Sequence, residues 1–390
     1  MSAPLAPMHG AAPVSHAPPG PSLGTDVVRV LRDDGTLDAG TEPLADAETD
    51  QVLAIYRAMV RVRALDERLV ALQRQGRIGF HIGSQGEEAA ILGSAAALRE
   101  KDWIFPCYRE FGAALWRGMP LQAYAHHMFG NAADPMKGRQ MPDHYGAKGA
   151  RFTSISSPVG TQITQAAGFA WAAKLEGSSA RRAGKREPQG DIVTLAYFGE
   201  GATSSGEFHN GMNFAGVFQV PLVLFCRNNG WAATVPAERQ TASPTFASKG
   251  IAYGMPGVRC DGNDLFAVLK VTRDAVARAA RGEGPTLIEA LTARMPTREP
   301  HGGEGWKRRD PVARVRRYLE SRALWSEARQ REHEASVAAE IDVAIEAAEK
   351  MGPPALTTMF DDLYGAPPPQ EREARAELLA APRAQGLAKP

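Results

Sequence analysis

The sequence predicts an α/β protein with a mainly parallel sheet, helices on both faces, and a helical C-terminal region. Three observations carry this. Residues 191–198 (DIVTLAYF) and 220–227 (VPLVLFCR) are short, nearly continuous apolar runs, and a helix-like segment at 207–218 lies between them. Apolar runs without alternation fit strands buried on both faces, as parallel strands are beneath crossover helices. From Lys307 to Lys350 the chain turns charge-rich, which reads as two or more solvated amphipathic helices.

The remaining elements follow in chain order. Residues 1–24 are rich in Ala, Pro, Gly and Ser with little to bury, and read as a disordered arm within an N-terminal extension, 1–45. From Asp50 to Gln75, Leu53, Tyr56, Met59, Val60, Leu65, Leu69 and Leu72 recur at helical spacing, and Gly76 supplies a stop. A second helix is predicted from Glu87 to Arg99. Residues 130–160 are dominated by Gly, Pro, His and Ser, and so long an irregular stretch inside a domain is either functional or disordered. After the central strand, helix, strand unit, strands are expected at Gly257–Cys260 and Thr286–Leu291, around a helix from Leu265 to Arg281. The main domain is set at 46–365, and residues 366–390 read as a fraying Pro- and Ala-rich tail.

Composition excludes several functions. Among 390 residues no run approaches the roughly 20 apolar positions that span a bilayer, so no membrane association is expected. The opening MSAPLAPMHG lacks the basic start and apolar core of a secretory signal, and the first arginine, Arg29, comes late for an Arg-rich transit peptide. A cytoplasmic location is therefore expected. A net charge of +1 argues against nucleic acid as a partner. Cys107, Cys226 and Cys260 are too few and scattered for a disulfide framework or a zinc site, and their apolar flanks predict buried free thiols.

The candidate site lies at 199–208, GEGATSSGEF. Gly201 and Gly206 are spaced as in a nucleotide phosphate loop, but Glu207 and Phe208 stand where that motif needs lysine and a hydroxyl. In a parallel sheet, ligands gather at the carboxyl ends of the strands. The first central strand ends in Gly199-Glu200-Gly201 and the second in Asn228-Asn229-Gly230, so a carboxylate and an amide can face one another across neighbouring strands. Such oxygen ligands suit Mg2+ bound together with the phosphates of a ligand. The helix after Ser205 would turn its positive end towards that ligand. On these residues alone, a glycine-rich turn with Glu200 as an ordinary solvated acid stays open.

The order Gly-acid-Gly, helix, Asn-Asn resembles the thiamin diphosphate motif. The longer stretch GEGATSSGEFHNGMNFAGVFQVPLVLFCRNNGWA resembles the alpha subunit of the decarboxylating first component of 2-oxoacid dehydrogenase complexes, the branched-chain group more than the pyruvate group. GEEAAILGSAAAL at 86–98, CYREFG at 107–112, KGRQMPDHYG at 137–146, SSPVGTQITQAAG at 156–168 and CDGND at 260–264 extend the resemblance over roughly residues 50–365.

The resemblance implies a thiamin diphosphate-binding fold and assigns roles residue by residue. Glu200, Asn229 and the backbone carbonyl of Trp231 would ligate Mg2+, with Gly199, Gly201 and Ala202 lining the cofactor loop. Tyr108, Arg109, Arg227 and Arg294 match a clamp on the diphosphate, a task suited to forked, permanently charged donors. Ser157 and Val159 match backbone contacts to the aminopyrimidine ring, and Ser156, Pro158, Thr161 and Gln162 match a K+ site. The implied activity is oxidative decarboxylation of a branched-chain 2-oxoacid (3-methyl-2-oxobutanoate type), with acyl transfer to a lipoyl group on an acyltransferase core. A beta subunit would complete the site in an alpha2-beta2 heterotetramer. The match breaks after Arg294, where relatives read R-x-G-x-H and this chain reads RMPTREPHGGEGWKRRDP, with Arg298 at the histidine position. His301, followed by two glycines, is the candidate replacement for that catalytic imidazole; an exposed loop histidine is the alternative. A pyruvate or acetoin dehydrogenase alpha subunit, and a cofactor-binding paralogue without catalysis, are the other functional readings.

Overall fold

The computed structural model describes residues 26–39, 46–182, 192–295 and 306–381. Its strands are β1 (Val27–Val28), β2 (Trp103–Phe105), β3 (Thr194–Gly199), β4 (Leu222–Asn228), β5 (Trp231–Ala232), β6 (Val235–Pro236), β7 (Gly257–Asp261) and β8 (Thr286–Leu291). β5 and β6 form a short antiparallel hairpin. The other six make one sheet in the order β1-β7-β8-β4-β3-β2, with every pair parallel.

The helices are α1 (Asp46–Arg74), α2 (Glu88–Ala96), α3 (Phe111–Trp116), α4 (Leu121–Phe129), α5 (Thr161–Arg182), α6 (Gly206–Phe218), α7 (Leu265–Ala280), α8 (Trp306–Arg309), α9 (Pro311–Ser321), α10 (Glu327–Glu349) and α11 (Pro369–Ala380). Alternation along the central strands builds two apolar layers. Leu195, Tyr197, Val223 and Phe225 pack with α1, α2, α3, α4, α7, α9 and α10 on one side. Ala196, Phe198, Leu222, Leu224 and Cys226 pack with α5 and α6 on the other. Both sides of each strand are covered, which is why the strands read as unbroken apolar runs. All three cysteines are buried and unpaired. No described helix is long and apolar enough to cross a membrane.

Both edge strands of the sheet are short, and the outer side of β2 is occupied. β1 pairs with β7, and a single carboxylate ties it down: Asp264 caps α7 through Phe266 N and Ala267 N, while its Oδ2 accepts from Val30 N and Leu31 N at 2.7 Å each. On the outer side of β2, Ile104 N donates to Arg151 O at 2.9 Å and Ile104 O accepts from Thr153 N at 3.0 Å.

Most elements predicted from sequence appear within a few residues of their expected bounds. β1, β2, α3, α4 and α5 were not anticipated, because two- and three-residue strands show no periodicity and α5 mixes Gly with Ala and polar residues. The tail composition predicts fraying, yet 369–380 is helical, with Pro369 at the start where its missing N–H costs nothing, followed by straight-chain helix formers. The stretch 130–160 is irregular but held: Asp134 accepts from Met136 N at 2.9 Å and Gly138 N at 2.8 Å, and bonds His127 Nδ1 at 3.0 Å. The arm predicted to be disordered, 1–24, lies outside the described residues.

Two helix glycines separate close packing from helix propensity. A Cβ at Gly216 in α6 would lie 2.0 Å from the Tyr253 carbonyl oxygen, whereas one at Gly168 in α5 meets nothing within 4 Å. Gly168→Ala is expected to stabilise the protein by about 0.5–1 kcal/mol, the ordinary helix gain. Gly216→Ala should destabilise by more than that gain. Urea denaturation of both variants checks the contrast.

Candidate functional site

Because β2, β3, β4 and β8 run parallel, their carboxyl ends reach the same edge, and each delivers candidate residues there. Tyr108 and Arg109 follow β2, Glu200 follows β3, Arg227 and Asn229 come from the end of β4, and Arg294 follows β8. Arg227 stands opposite Gly199 on one side and Ala290 on the other.

The three arginines converge on one piece of chain, residues 81–88. Buried Arg227 donates through Nη1 to Glu87 at 2.8 Å and through Nη2 to Glu110. Arg294 Nε lies 3.9 Å from the same Glu87 carboxylate, and Arg294 Nη2 donates to Gly83 O at 3.2 Å. Arg109 Nη1 donates to that same Gly83 carbonyl at 2.6 Å, with its guanidinium 5.3 Å from the centre of the Tyr108 ring. Thr292 Oγ1 completes the Glu87 carboxylate at 3.1 Å. Burial pushes the Glu87 carboxyl up, but Arg227, Arg294 and Arg109 outweigh it and hold the group below the usual carboxylate range. For Glu110 burial wins over Arg227, and its carboxyl is raised.

Next to this compensated cluster sits an uncompensated carboxylate. Glu200 is 1% exposed, and its Oε1 is buried with no hydrogen-bond partner. Burial pushes its carboxyl up to about 7, against hydrogen bonds from its own backbone, the Asn229 backbone and the Gln240 side chain. Asn229 Oδ1 accepts from Trp231 N at 3.0 Å, and Asn228 Oδ1 from Gly230 N at 2.9 Å. This tight double turn needs the φ of +87° that Gly230 adopts. Gly201 lies against the β5–β6 hairpin, where a Cβ would come within 2.7 Å of the Ala232 Cβ. Among the described residues no three His, Cys, Asp or Glu side chains are grouped to hold a metal. A cation at Glu200 would therefore have one carboxylate, amide and backbone oxygens, and oxygens of its own ligand, a set that suits Mg2+. A buried acceptor without a partner is costly, and a divalent cation would satisfy it.

The SPVG turn is formed, but its parts face different ways. Thr161 Oγ1 donates towards Ser156 Oγ at 3.0 Å and Pro158 O at 3.1 Å, so three of the four candidate K+ ligands meet. Gln162 instead donates to Tyr197 O at 2.9 Å. Ser157 and Val159 lie on the exposed side of the turn. Gly160, at φ +97°, presses against Ser205, the cap of α6; a Cβ there would be 2.4 Å from Ser205 Oγ. The positive end of α6 thus meets this turn. His301 and Arg298 lie outside the described residues.

A family model described as Dehydrogenase E1 component matches residues 56–357. The chain belongs to that family. Enzymes of the family decarboxylate 2-oxoacids with thiamin diphosphate. Relatives include the 2-oxoisovalerate dehydrogenase subunit alpha 2, mitochondrial, of Arabidopsis thaliana, 39% identical over 362 residues that cover 90% of this chain and 74% of that protein. The corresponding mitochondrial alpha subunits of Mus musculus and Bos taurus are 38% and 37% identical, covering 84% and 91% of this chain and 74% and 78% of those proteins. These mitochondrial relatives overturn the cytoplasmic placement, which rested on the composition of the N-terminal arm. That composition tests for two kinds of leader and does not by itself place a chain.

Within the family frame, the sequence reading missed the acids that organise the arginines. Glu87 and Glu110 sit in the quoted motifs GEEAAILG and CYREFG, and each is the residue just before a helix, α2 and α3. Acids at helix starts read as solvated, dipole-favoured charges; here both are fully buried. The available signal was the apolar run that follows each of them. Replacing Arg227 by Met strands both carboxylates, so Arg227→Met should cost about 3–5 kcal/mol at pH 7 in urea denaturation. The deficit should shrink as pH falls through the carboxylate range, because the stranded acids take up protons while the wild type loses its Glu87 pair.

Proposed function

We propose that this chain is the alpha subunit of a branched-chain 2-oxoacid dehydrogenase, binding thiamin diphosphate with Mg2+ at the carboxyl edge of its sheet. The observation that carries the site is the partnerless Glu200 oxygen at the end of β3, one strand from Asn229 and beside the arginine cluster. The substrate class comes from the relatives, which are named 2-oxoisovalerate dehydrogenases. Residues 46–365 are taken as the cofactor-binding domain, with 1–45 an extension and 366–390 a C-terminal tail.

In this reading Glu200, Asn229 and the Trp231 carbonyl hold the cation. Gly199, Gly201 and Ala202 leave room for the diphosphate, and Tyr108, Arg109 and Arg294 bind it. Arg227 has both terminal nitrogens bonded to Glu87 and Glu110, so its part is to set the field and fix the edge, with Nε left without a partner. The Ser157 and Val159 backbone faces the aminopyrimidine from an exposed turn that a beta subunit would cover. Ser156, Pro158, Thr161 and Gln162 would hold K+ beneath it. The chemistry that bound thiamin diphosphate supplies is a carbanion nucleophile and an electron sink for departing carbon dioxide. The chain orients the cofactor, excludes water and, through His301, would move a proton near the substrate. The acyl group then passes to a lipoyl group of an acyltransferase core, within an alpha2-beta2 assembly.

Reconstitution with the beta subunit and a decarboxylation assay over a panel of 2-oxoacids tests this. Turnover should be fastest on branched-chain acids, and no turnover on any 2-oxoacid would overturn the catalytic reading. Cofactor binding without turnover would favour a non-catalytic paralogue, and loss of turnover in His301→Ala would assign the imidazole. Mg2+-dependent cofactor binding should weaken by about 100-fold in Glu200→Gln, measured by calorimetry. Because the cation competes with a proton on Glu200, wild-type affinity should rise as pH climbs to about 7 and gain nothing further from this group just above it.

A further inference from the structure

Behind the arginine cluster lies a buried histidine that the proposed chemistry does not use. His81 bonds two carboxylates at once, Asp66 Oδ1 through Nε2 at 3.1 Å and Asp143 Oδ2 through Nδ1 at 3.2 Å, and its side chain is fully buried. The same two acids hold the backbone that follows it. Asp143 accepts from Ile82 N at 2.7 Å, and Asp66 accepts from Ser84 N at 2.6 Å. Between those anchors sits Gly83, where a Cβ would come within 2.6 Å of Asp66 Oδ1. The Gly83 carbonyl is the acceptor shared by Arg109 and Arg294.

We infer that His81 is a positioning residue for the diphosphate clamp: held between Asp66 and Asp143, it fixes the segment whose Gly83 carbonyl aims Arg109 and Arg294. The inference rests on the cofactor reading given above. Without a positive imidazole, two buried carboxylates would face each other across the ring with no charge between them, and the cost would fall on the backbone they hold. The groups facing His81 are Asp66 from α1, Asp143 from the loop after α4, and the edge of the Phe111 ring from α3. Behind Asp143 stand the Tyr124 hydroxyl, donating to it at 2.8 Å, and Tyr145. Arg109 approaches from the far side of Gly83. Burial opposes the charge on His81, but Asp143 and Asp66 outweigh burial and push the imidazole up to about 9. A raised histidine contributes fully below its ordinary value of about 6.5, and the contribution is lost as pH rises through the folded value. His81 is thus charged at neutral pH and releases its hold in mild alkali.

The test is calorimetry of thiamin diphosphate with Mg2+ on the assembled alpha and beta chains from pH 7 to 10, for wild type, His81→Gln and Arg294→Ala. His81→Gln should bind about tenfold more weakly at pH 7, as residues supporting a binding group commonly do. Wild-type affinity should fall towards that of the variant as pH passes about 9, and the imidazole NMR signals of His81 should titrate over the same range. Equal affinity of wild type and His81→Gln at every pH, with Arg294→Ala weakened, overturns the positioning role and leaves the cofactor reading standing. If Arg294→Ala also binds as wild type, or nothing binds, the cofactor reading itself fails. Should His81→Gln not fold, a neutral His81 ring at pH 7, or wild-type affinity unchanged up to pH 10, overturns the inference.

Discussion

The structure is organised around one buried cation. Arg227 ends a central strand in a place where water does not reach, and a guanidinium in such a place needs carboxylates. They come from Glu87 and Glu110, which stand immediately before α2 and α3. Neither glutamate caps its own helix with its side chain; each is turned towards the sheet instead. Two helix starts are thereby pinned to the edge where β4 ends, and the segment entering α2 carries Gly83 and Gln85, whose carbonyls accept from Arg109, Arg294 and the Met295 amide. The return from β8 is held by the same segment.

The edge is electrostatically uneven. Glu87 has more positive charge near it than it can use, and its carboxyl stays ionised. Glu200, also out of water, has only hydrogen bonds to oppose burial, and its carboxyl is pushed up to about 7. A ligand that brings one divalent cation and two phosphates would satisfy both halves together, the cation at Glu200 and the anion at Arg109 and Arg294. Either ion alone would leave one half unbalanced, which is why the arrangement fits a metal–diphosphate pair better than a free metal.

The parts of the fold legible in the sequence were those with a period or a punctuation mark. β3, α6 and β4 declared themselves because their apolar runs end in Gly-Glu-Gly and Asn-Asn-Gly, and those turns carry the metal-side candidates. α1 followed from helical spacing, and helices within 307–350 from the charge-rich composition there. Elements too short for a period, β1 and β2, were invisible, and α11 was hidden in a tail whose Pro- and Ala-rich composition reads as fraying. Within the site, Glu200 and the three arginines could be named, but Glu87, Glu110 and His81 could not, since their partners lie 15 to 140 positions away in the chain. A charge beside an apolar helix reads as surface until the fold shows what it faces.

The edges of the sheet have a consequence for how copies of this chain meet other chains. β1 is two residues long, and the outer side of β2 already bonds to the chain at Arg151 and Thr153. Neither side offers a ladder long enough for a neighbouring strand to dock. Among the described residues, the sheet is built to resist growth by strand addition. A partner that docks on the described surface would meet side chains on helices and loops, residues free to diverge without disturbing the backbone that carries the site.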